Sequence, residues 1–340
     1  MRFAYLAAFI FLFSCSDITV ASKRPTQEPV REAIAGPLLG SQKVSQHGRL
    51  RVEGSHLVDY YGTPIQLKGM SSHGLQWFGK FANKSSMKEL RDNWGQSVFR
   101  AAMYTEEGGY IQNRNLKYKV YEIANAAIEL DSYVIIDWHI LRDGNPMWHL
   151  NEAREFFAEM SKYYAGYQNV IYEIANEPNG NDVHWINAIR PYAEEIARTI
   201  RGNDSQAIII VGTGSWSQDV HEAAANPLRE KNIMYALHFY AASHGQFLRD
   251  RLAQAMSQGI AIFVTEWGTM DASGRGGMDV GSTRAWMDLL DKNKVGWCNW
   301  SLSDSNDSHA VLRPGANPNG GWGDRDLTPS GRLVRGYMLR

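Results

Sequence analysis

Two segments of the sequence each place a glutamate directly after an apolar run. Glu177 follows NVIYEIAN (residues 169–176), and Glu266 stands near the end of AIFVTEWG (residues 261–268). An apolar strand has no packing reason to end on a carboxylate, so both glutamates are candidates for acid–base or nucleophilic chemistry. Two carboxyl groups can divide this work, because one can keep its proton and act as an acid while the other stays ionised.

The elements that would position these glutamates follow a regular order. Short β-type runs alternate with amphipathic helical segments, and the strand candidates are residues 65–71, 97–104, 133–139, 169–176, 207–214, 232–240, 261–268 and 295–302. Strand followed by helix, eight times, predicts an α/β protein with a single (β/α)8 TIM barrel. An open doubly wound sheet has the same alternation. The strand count, and the lack of a glycine-rich phosphate-binding fingerprint after the first strand, favour the closed barrel.

In such a barrel, the C-terminal ends of all strands meet at one mouth. Polar and aromatic residues stand at or just after the predicted strand ends: His73, Trp77, Arg100, Tyr104, His139, Asn176, Trp216, His238, Tyr240 and Trp300. The strands that carry Glu177 and Glu266 are separated by two others, so these carboxyl groups can face each other. A facing pair of carboxyl groups is what glycoside hydrolysis needs.

The surroundings of each glutamate predict its protonation state. Arg100, His238 and Tyr240 are expected near Glu266, and a charge-assisted bond from Arg100 would keep Glu266 ionised. The negative charge of Glu266 would then raise the pKa of Glu177 and hold a proton there. Glu173 lies four residues before Glu177 on the same strand, so we expect a structural carboxylate deeper in the barrel.

Composition narrows the class of partner and the domain organisation. The chain of 340 residues has 35 basic and 36 acidic residues, which argues against nucleic acid as a partner. Residues 3–13 form an apolar run that is too short for a membrane span of roughly 20 residues and is typical of a secretory signal. We predict a signal over residues 1–15, a tether over 16–45 and one catalytic domain over 46–340. Nothing requires more than a monomer.

The two cysteines have different expected roles. Residues 12–15 (LFSC) resemble the lipobox of bacterial lipoproteins, which makes Cys15 a candidate for lipidation. A membrane is expected as a partner only through that lipid anchor. Cleavage near Ala21–Ser22 is the alternative, and either reading implies export. If Cys15 is lipidated, one thiol remains and no disulfide can form within the chain. Cys298 is expected to be a buried, inert thiol.

Several segments resemble the bacterial cellulases of glycoside hydrolase family 5, subfamily 2. They are LKGMSSHGLQW, VFRAAMYT, IYEIANEP, GTGSWSQDV, HFYAASH and IAIFVTEWG, and the resemblance runs from about Val44 to the C-terminus. It implies a (β/α)8 barrel that hydrolyses internal β-1,4 bonds of glucans with retention of configuration. It also implies that Glu177 is the acid/base, Glu266 the nucleophile and Asn176 the amide that bonds the sugar 2-hydroxyl.

The same resemblance implies roles for the remaining residues. Arg100, His238 and Tyr240 would hold and tune the nucleophile. The glycone side of the groove would be lined by His73, Trp77, Tyr104 and His139. Trp300 would form the platform under the sugar, with a cis bond to Ser301, and Trp216 would stack on the aglycone side. Ser305 stands where the family commonly has a lysine, so fine specificity on the glycone side stays open.

Other functions compatible with the sequence also remain. The same mechanism could act on mannan, xyloglucan or mixed-linkage glucan, or the chain could be a non-catalytic glycan-binding lipoprotein. A metal-dependent barrel hydrolase would use His73, His139, His238 and Asp137. The expected reaction itself requires no metal and no organic cofactor, and its expected partner is a β-1,4-glucan.

Overall fold

The computed structural model describes residues 42–340. The predicted signal, Cys15 and nearly all of the predicted tether lie outside the described residues. Within residues 42–340, no helix is long and apolar enough to cross a membrane.

Eight parallel strands form a closed barrel, which confirms the predicted fold. In chain order they are β1 Lys68–Ser72, β2 Val98–Tyr104, β3 Tyr133–His139, β4 Val170–Glu173, β5 Ile208–Val211, β6 Ile233–Tyr240, β7 Ile262–Gly268 and β8 Trp297–Leu302. The barrel closes where β8 pairs with β1.

One main helix follows each strand. These are α1 Lys84–Trp94, α2 Leu116–Glu129, α3 Leu150–Tyr163, α4 Arg190–Arg201, α5 Val220–Ala225, α6 Gln246–Ser257, α7 Val280–Asn293 and α8 Pro329–Met338. Short turns of helix cover Val44–His47, Leu75–Phe78, Gly79–Phe81, Pro146–His149, Trp185–Ile189 and Gly214–Ser217.

Local sequence explains where a helix such as α1 begins and ends. The Asn83 side chain accepts hydrogen bonds from the backbone N–H groups of Ser85 and Ser86, and the Ser86 side chain bonds back to Asn83, which forms a capping box. Gly95 ends the helix in the left-handed conformation, with φ of 76°, which suits glycine.

The strands are buried on both faces, which explains their continuous apolar runs. In β5, Ile208 and Ile210 join the cluster inside the barrel, whereas Ile209 and Val211 pack against the helices. Cys298 lies in the inner cluster and is buried, as predicted. Burial raises the pKa of its thiol well above the usual range.

The N-terminal end of the barrel is covered by a hairpin that the sequence analysis did not identify. Its antiparallel strands are Arg51–Glu53 and His56–Val58. The helix Val44–His47 packs beside it, with Val44 buried and the Ser45 N–H donating to Asp131 Oδ1 at 2.9 Å. The packed domain therefore includes at least residues 44 and 45, which the predicted boundary had given to the tether.

Candidate active site

The strand register brings the two predicted glutamates together. Glu266 in β7 pairs with His238 in β6, and Glu177 follows β4. One carboxylate oxygen of Glu177, one of Glu266 and one ring nitrogen of His238 all lie within 4.8 Å of one another. This is close to the separation of about 5–5.5 Å between the two carboxyl groups of retaining glycosidases, and well below that of inverting enzymes.

Arg100 is the fully buried cation of the site. Its Nε and Nη2 atoms bond both oxygens of Glu173, at 2.7 and 3.1 Å, which supports the structural role predicted for Glu173. The same guanidinium reaches Asp137 at 3.0 Å and Glu266 at 3.3 Å. Arg100 therefore divides its charge among three carboxylates, and Glu266 receives the longest of these contacts.

This division changes the predicted protonation of Glu266. Burial raises the pKa of Glu266 to about 7 and the charge of Glu177 adds to this, while His238, Arg100 and the hydrogen bond from Tyr240 at 2.7 Å act in the opposite direction. Arg100 therefore favours the ionised form of Glu266, as expected, but burial has the larger effect and leaves the pKa of Glu266 above its usual value. Burial outweighs a cation that is shared with two other carboxylates.

Glu177 binds its proton more tightly than Glu266. Burial raises the pKa of Glu177 to about 8, opposed by Arg100 and reinforced by the charges of Asp137 and Glu173. The predicted direction is correct, but the main cause is burial rather than the charge of Glu266. The order of the two values favours a state with one shared proton that resides mainly on Glu177.

His238 lies against Glu177, whereas the sequence analysis placed it with the nucleophile. Its Nδ1 is 2.9 Å from Glu177 Oε1, and its Nε2 is 2.8 Å from Thr265 Oγ1. Burial lowers the pKa of His238 to about 4, so the ring is neutral at pH 7. A neutral ring donates from one nitrogen and accepts at the other, and the Thr265 hydroxyl can do either, so His238 can hydrogen-bond Glu177 in its protonated or its ionised form according to the tautomer.

A chain of hydrogen bonds fixes the orientation of the Asn176 amide. Asp137 Oδ2 is 2.7 Å from His139 Nδ1, and His139 Nε2 is 3.3 Å from Asn176 Nδ2. Asn176 Nδ2 also donates to the Ile140 carbonyl at 3.0 Å, and its Oδ1 accepts from Arg100 at 2.6 Å. Asp137, which the sequence analysis considered only as a metal ligand, thus helps to position this group.

Aromatic rings form one wall of the mouth. The His139 ring lies 4.2 Å from the ring of Tyr104 and 5.1 Å from that of Trp300, between centroids. His73 is 5.0 Å from Trp300, and Trp77 is 5.0 Å from Tyr104. The predicted cis bond between Trp300 and Ser301 is present. These predicted residues therefore form one continuous surface.

Trp216 lines the same cavity as Glu177. Residues Ser215, Trp216 and Ser217 have φ values of 53°, 57° and 56°, which is an unusual left-handed turn for residues other than glycine. The Trp216 N–H donates to the Pro178 carbonyl at 3.1 Å, and the side chain is 50% exposed. This turn holds the indole at the rim of the cavity.

The cavity at the mouth has a volume of about 420 Å³, and its lining includes Tyr104, Glu177, Trp216, Glu266 and Trp300. Three further residues at the site were missed in the sequence: Gln218 and His244 line the cavity, and His309 packs against His73 at 5.3 Å. His244 belongs to the HFYAASH segment, which resembles the cellulase family, so its place in the site could have been predicted. His309 stands in a loop with no pattern that could have identified it.

The predicted alternative metal site does not form. Among the described residues, the donor groups that converge within 4.8 Å are Glu177, His238 and Glu266, and separately Glu106, Asp143 and His149. His73, His139, His238 and Asp137 do not converge as a set. The first converging group is the glutamate pair itself, whose contacts are explained by shared protons. Ser305 accepts a hydrogen bond from the Asp307 N–H at 3.3 Å, within its own loop.

Comparison with known proteins agrees with this geometry. Residues 58–306 match the family model described as Cellulase (glycosyl hydrolase family 5). Endoglucanase A of Evansella cellulosilytica is 58% identical over 274 residues, which are 81% of this chain and 56% of that relative. Endoglucanase 5 of Pectobacterium carotovorum subsp. carotovorum is 55% identical over 297 residues, which are 87% of this chain and 59% of that relative.

Solved structures give the same result. The catalytic domain of Thermobifida fusca endoglucanase Cel5A superposes with a TM-score of 0.84 at 40% identity, covering 87% of this chain and 99% of that domain. The alkaline cellulase K catalytic domain superposes with a TM-score of 0.84 at 32% identity, covering 89% of this chain and 97% of that domain. The chain spans little more than half the length of the two relatives above, yet the family match covers most of the barrel. The chain therefore belongs to glycosyl hydrolase family 5.

Proposed function

We propose that this chain is a retaining endo-β-1,4-glucanase that acts on cellulose-type glucans. One observation carries the proposal: Glu177 and Glu266 present carboxylate oxygens within 4.8 Å of each other in one open cavity. Their pKa values, raised to about 8 and about 7, give the proton mainly to Glu177. An acid and an ionised nucleophile are thus available together near neutral pH.

In the first step, Glu266 attacks the anomeric carbon and forms a glycosyl ester, while Glu177 gives its proton to the departing glycosidic oxygen. Formation of the ester removes the charge of Glu266. The repulsion that had disfavoured a negative charge on Glu177 is then gone, so Glu177 is more stable as an anion than before. It can take a proton from water in the second step, when the hydroxide that forms attacks the anomeric carbon and releases Glu266.

Exposed aromatic residues near the glutamate pair support an endo mode of action on a polymer. Trp77 and Trp216 are 47% and 50% exposed; Trp77 packs against Tyr104 and Trp216 lines the cavity, so exposed indoles are available to a long glucan on the cavity face. The relatives named above are endoglucanases. A glutamate-to-glutamine variant of the Thermobifida fusca domain was solved in complex with cellotetraose. These facts concern those proteins, and they make β-1,4-glucan the first substrate to test here.

The test compares viscosity loss with reducing-end release on soluble cellulose derivatives, mannan, xyloglucan and mixed-linkage glucan. On the cellulose derivative we expect viscosity to fall rapidly while only a few new reducing ends are released. We expect no hydrolysis by Glu266→Gln or Glu177→Gln. Glu53→Gln, on the hairpin at the opposite end of the barrel, is the matched control. An inactive wild-type protein that binds glucan would instead indicate a non-catalytic receptor. Faster cleavage of mannan would change the substrate class.

We also propose that the protein is exported as a monomer, with Cys15 as the lipid-bearing residue. The proposal depends on residues 2–15, a charged residue and an apolar run that end in a lipobox-like cysteine. Mass spectrometry of the mature N-terminus should find a lipid on Cys15, and a free N-terminus near Ser22 would contradict it. Activity should withstand a chelator, because no step uses a metal.

A further inference from the structure

An exposed apolar patch lies outside the catalytic cavity, on the face where the cavity opens. It consists of Met147, Trp148 and Ile186, which we call the Trp148 patch. Trp148 is 65% exposed, the highest value among the exposed large hydrophobic side chains of residues 42–340, and Ile186 is 60% exposed. The turns that carry these residues, Pro146–His149 and Trp185–Ile189, pack against each other. A contiguous exposed apolar patch commonly marks a binding surface.

The turn that carries Trp148 is held in a defined conformation. Asn145 Oδ1 accepts a hydrogen bond from the Met147 N–H at 3.0 Å, and the Trp148 N–H donates to the Asn145 carbonyl at 3.0 Å. His149 Nε2 lies 3.0 Å from Glu106 Oε1, which ties the turn to the loop after β2. The indole is therefore presented to solvent by an ordered turn, so little conformational entropy would be lost when a ligand covers it.

Asn179 anchors the loop that carries Trp148 to the segment that carries Glu177. The Asn179 N–H donates to the Gly144 carbonyl at 2.9 Å. The Asn179 side chain donates to the carbonyls of Leu141, at 2.7 Å, and Glu177, at 2.8 Å. Leu141 itself lines the cavity. The segment 177–179 therefore carries the turn of Trp216 on one side and anchors the loop of Trp148 on the other.

We propose that the Trp148 patch binds a stretch of β-glucan beyond the catalytic cavity and so promotes attack on insoluble cellulose. This inference rests on the proposed function. A flat indole suits the apolar face of a pyranose ring, and exposed polar residues, Arg142 and Asn151, lie within a few residues of it along the chain. A stable protein interface needs about 20–30 residues a side, far more than this patch supplies. Its loop is anchored to residues 177–179 at the end of the barrel where the glutamate pair lies, which makes the substrate polymer the expected occupant.

The experiment uses the full chain and three variants: Trp148→Ala, Trp148→Tyr and, as control, Tyr61→Ala at the opposite end of the barrel. Binding to insoluble cellulose is measured by depletion from solution, and hydrolysis is measured on insoluble cellulose and on a soluble cello-oligosaccharide. We expect Trp148→Ala to lower the partition onto cellulose roughly 2- to 10-fold, the effect of one lost aromatic stack. Hydrolysis of the insoluble substrate should fall in parallel while the soluble rate stays at the wild-type value. Trp148→Tyr should restore most of the loss.

Three results would overturn the inference. The first is wild-type partition and wild-type insoluble rate for a Trp148→Ala variant with unchanged melting temperature. The second is an equal loss on soluble and insoluble substrates, which would show that the turn acts on the catalytic centre. The third is a change in sedimentation without a change in cellulose binding, which would identify a protein contact. If wild-type protein binds cellulose through Trp148 but hydrolyses no glucan, the proposed activity fails and the binding surface stands.

Discussion

The hydrogen bond from Tyr240 to Glu266 gives the sharpest test of the proton arrangement. The phenol donates to Glu266 Oε1 at 2.7 Å, and Glu266 is only 5% exposed. A hydrogen bond to a charged group contributes about 1.5–3 kcal/mol. Because 1.36 kcal/mol corresponds to a tenfold change in proton affinity, Tyr240→Phe should raise the pKa of Glu266 by about 1–2 and move the acid limb of activity upward from about pH 7 to about pH 8.

The assay is kcat/KM against pH on a soluble cello-oligosaccharide. The wild-type rate should rise through about pH 7, where Glu266 ionises, and fall through about pH 8, where Glu177 loses its proton. At pH 6, below both limbs, the variant should be slower than wild type by about 10- to 100-fold, and its maximal rate should also fall, because the pKa of Glu266 then reaches or passes that of Glu177. Tyr118→Phe, on the exposed face of α2, is the control. An acid limb that does not move in Tyr240→Phe would refute this reasoning.

Three further perturbations follow from the same contacts. Glu177→Gln should lose far more activity on cello-oligosaccharides than on an aryl cellobioside whose leaving group is an acidic phenol, because such a phenolate departs without a proton. Equal losses on the two substrates would show that Glu177 is not the acid. Arg100→Met should destabilise the fold by about 3–5 kcal/mol, measured by denaturant unfolding, because buried carboxylates lose their cation; a change below 1 kcal/mol would contradict this. Cys298 should resist a thiol reagent in the native protein and react fully in denaturant, since its thiol is buried; rapid labelling of native protein would show otherwise.

The fold could be predicted because the pattern of apolar residues in each strand and helix shows which of its faces are buried. Strands covered on both faces give continuous apolar runs, such as Ile208–Val211, and eight of them fix the architecture. Boundaries were less predictable. The first strand was predicted to begin at residue 65. Instead, the Ile65 N–H donates a hydrogen bond to the Leu57 carbonyl of the hairpin, and β1 begins at Lys68. Apolar residues that cover the end of a barrel look the same in sequence as residues that form its wall.

Site residues could be predicted where their location at the end of a strand is enough to place them at the mouth of the barrel. Strand ends converge, so Glu177, Glu266, Arg100 and Tyr240 could be assigned to one mouth. The sequence could not tell which carboxylate His238 would contact, because that depends on ångström-scale geometry between strands. The position of His309 depends on how its loop folds back, where the Ser308 N–H donates to the Gly274 carbonyl at 2.8 Å. Such contacts join segments that are distant in sequence, and no local pattern encodes them.

The central claim is that Glu266 becomes bonded to the sugar while Glu177 supplies the proton. The most direct measurement is the mass of the protein, and of its proteolytic peptides, after reaction with an activated 2-deoxy-2-fluoro-cellobioside, which slows release of the ester. We predict one fluorosugar on the peptide that contains Glu266, and none on Glu266→Gln. An adduct on any other residue, or continued turnover that never gives an adduct, would contradict the account.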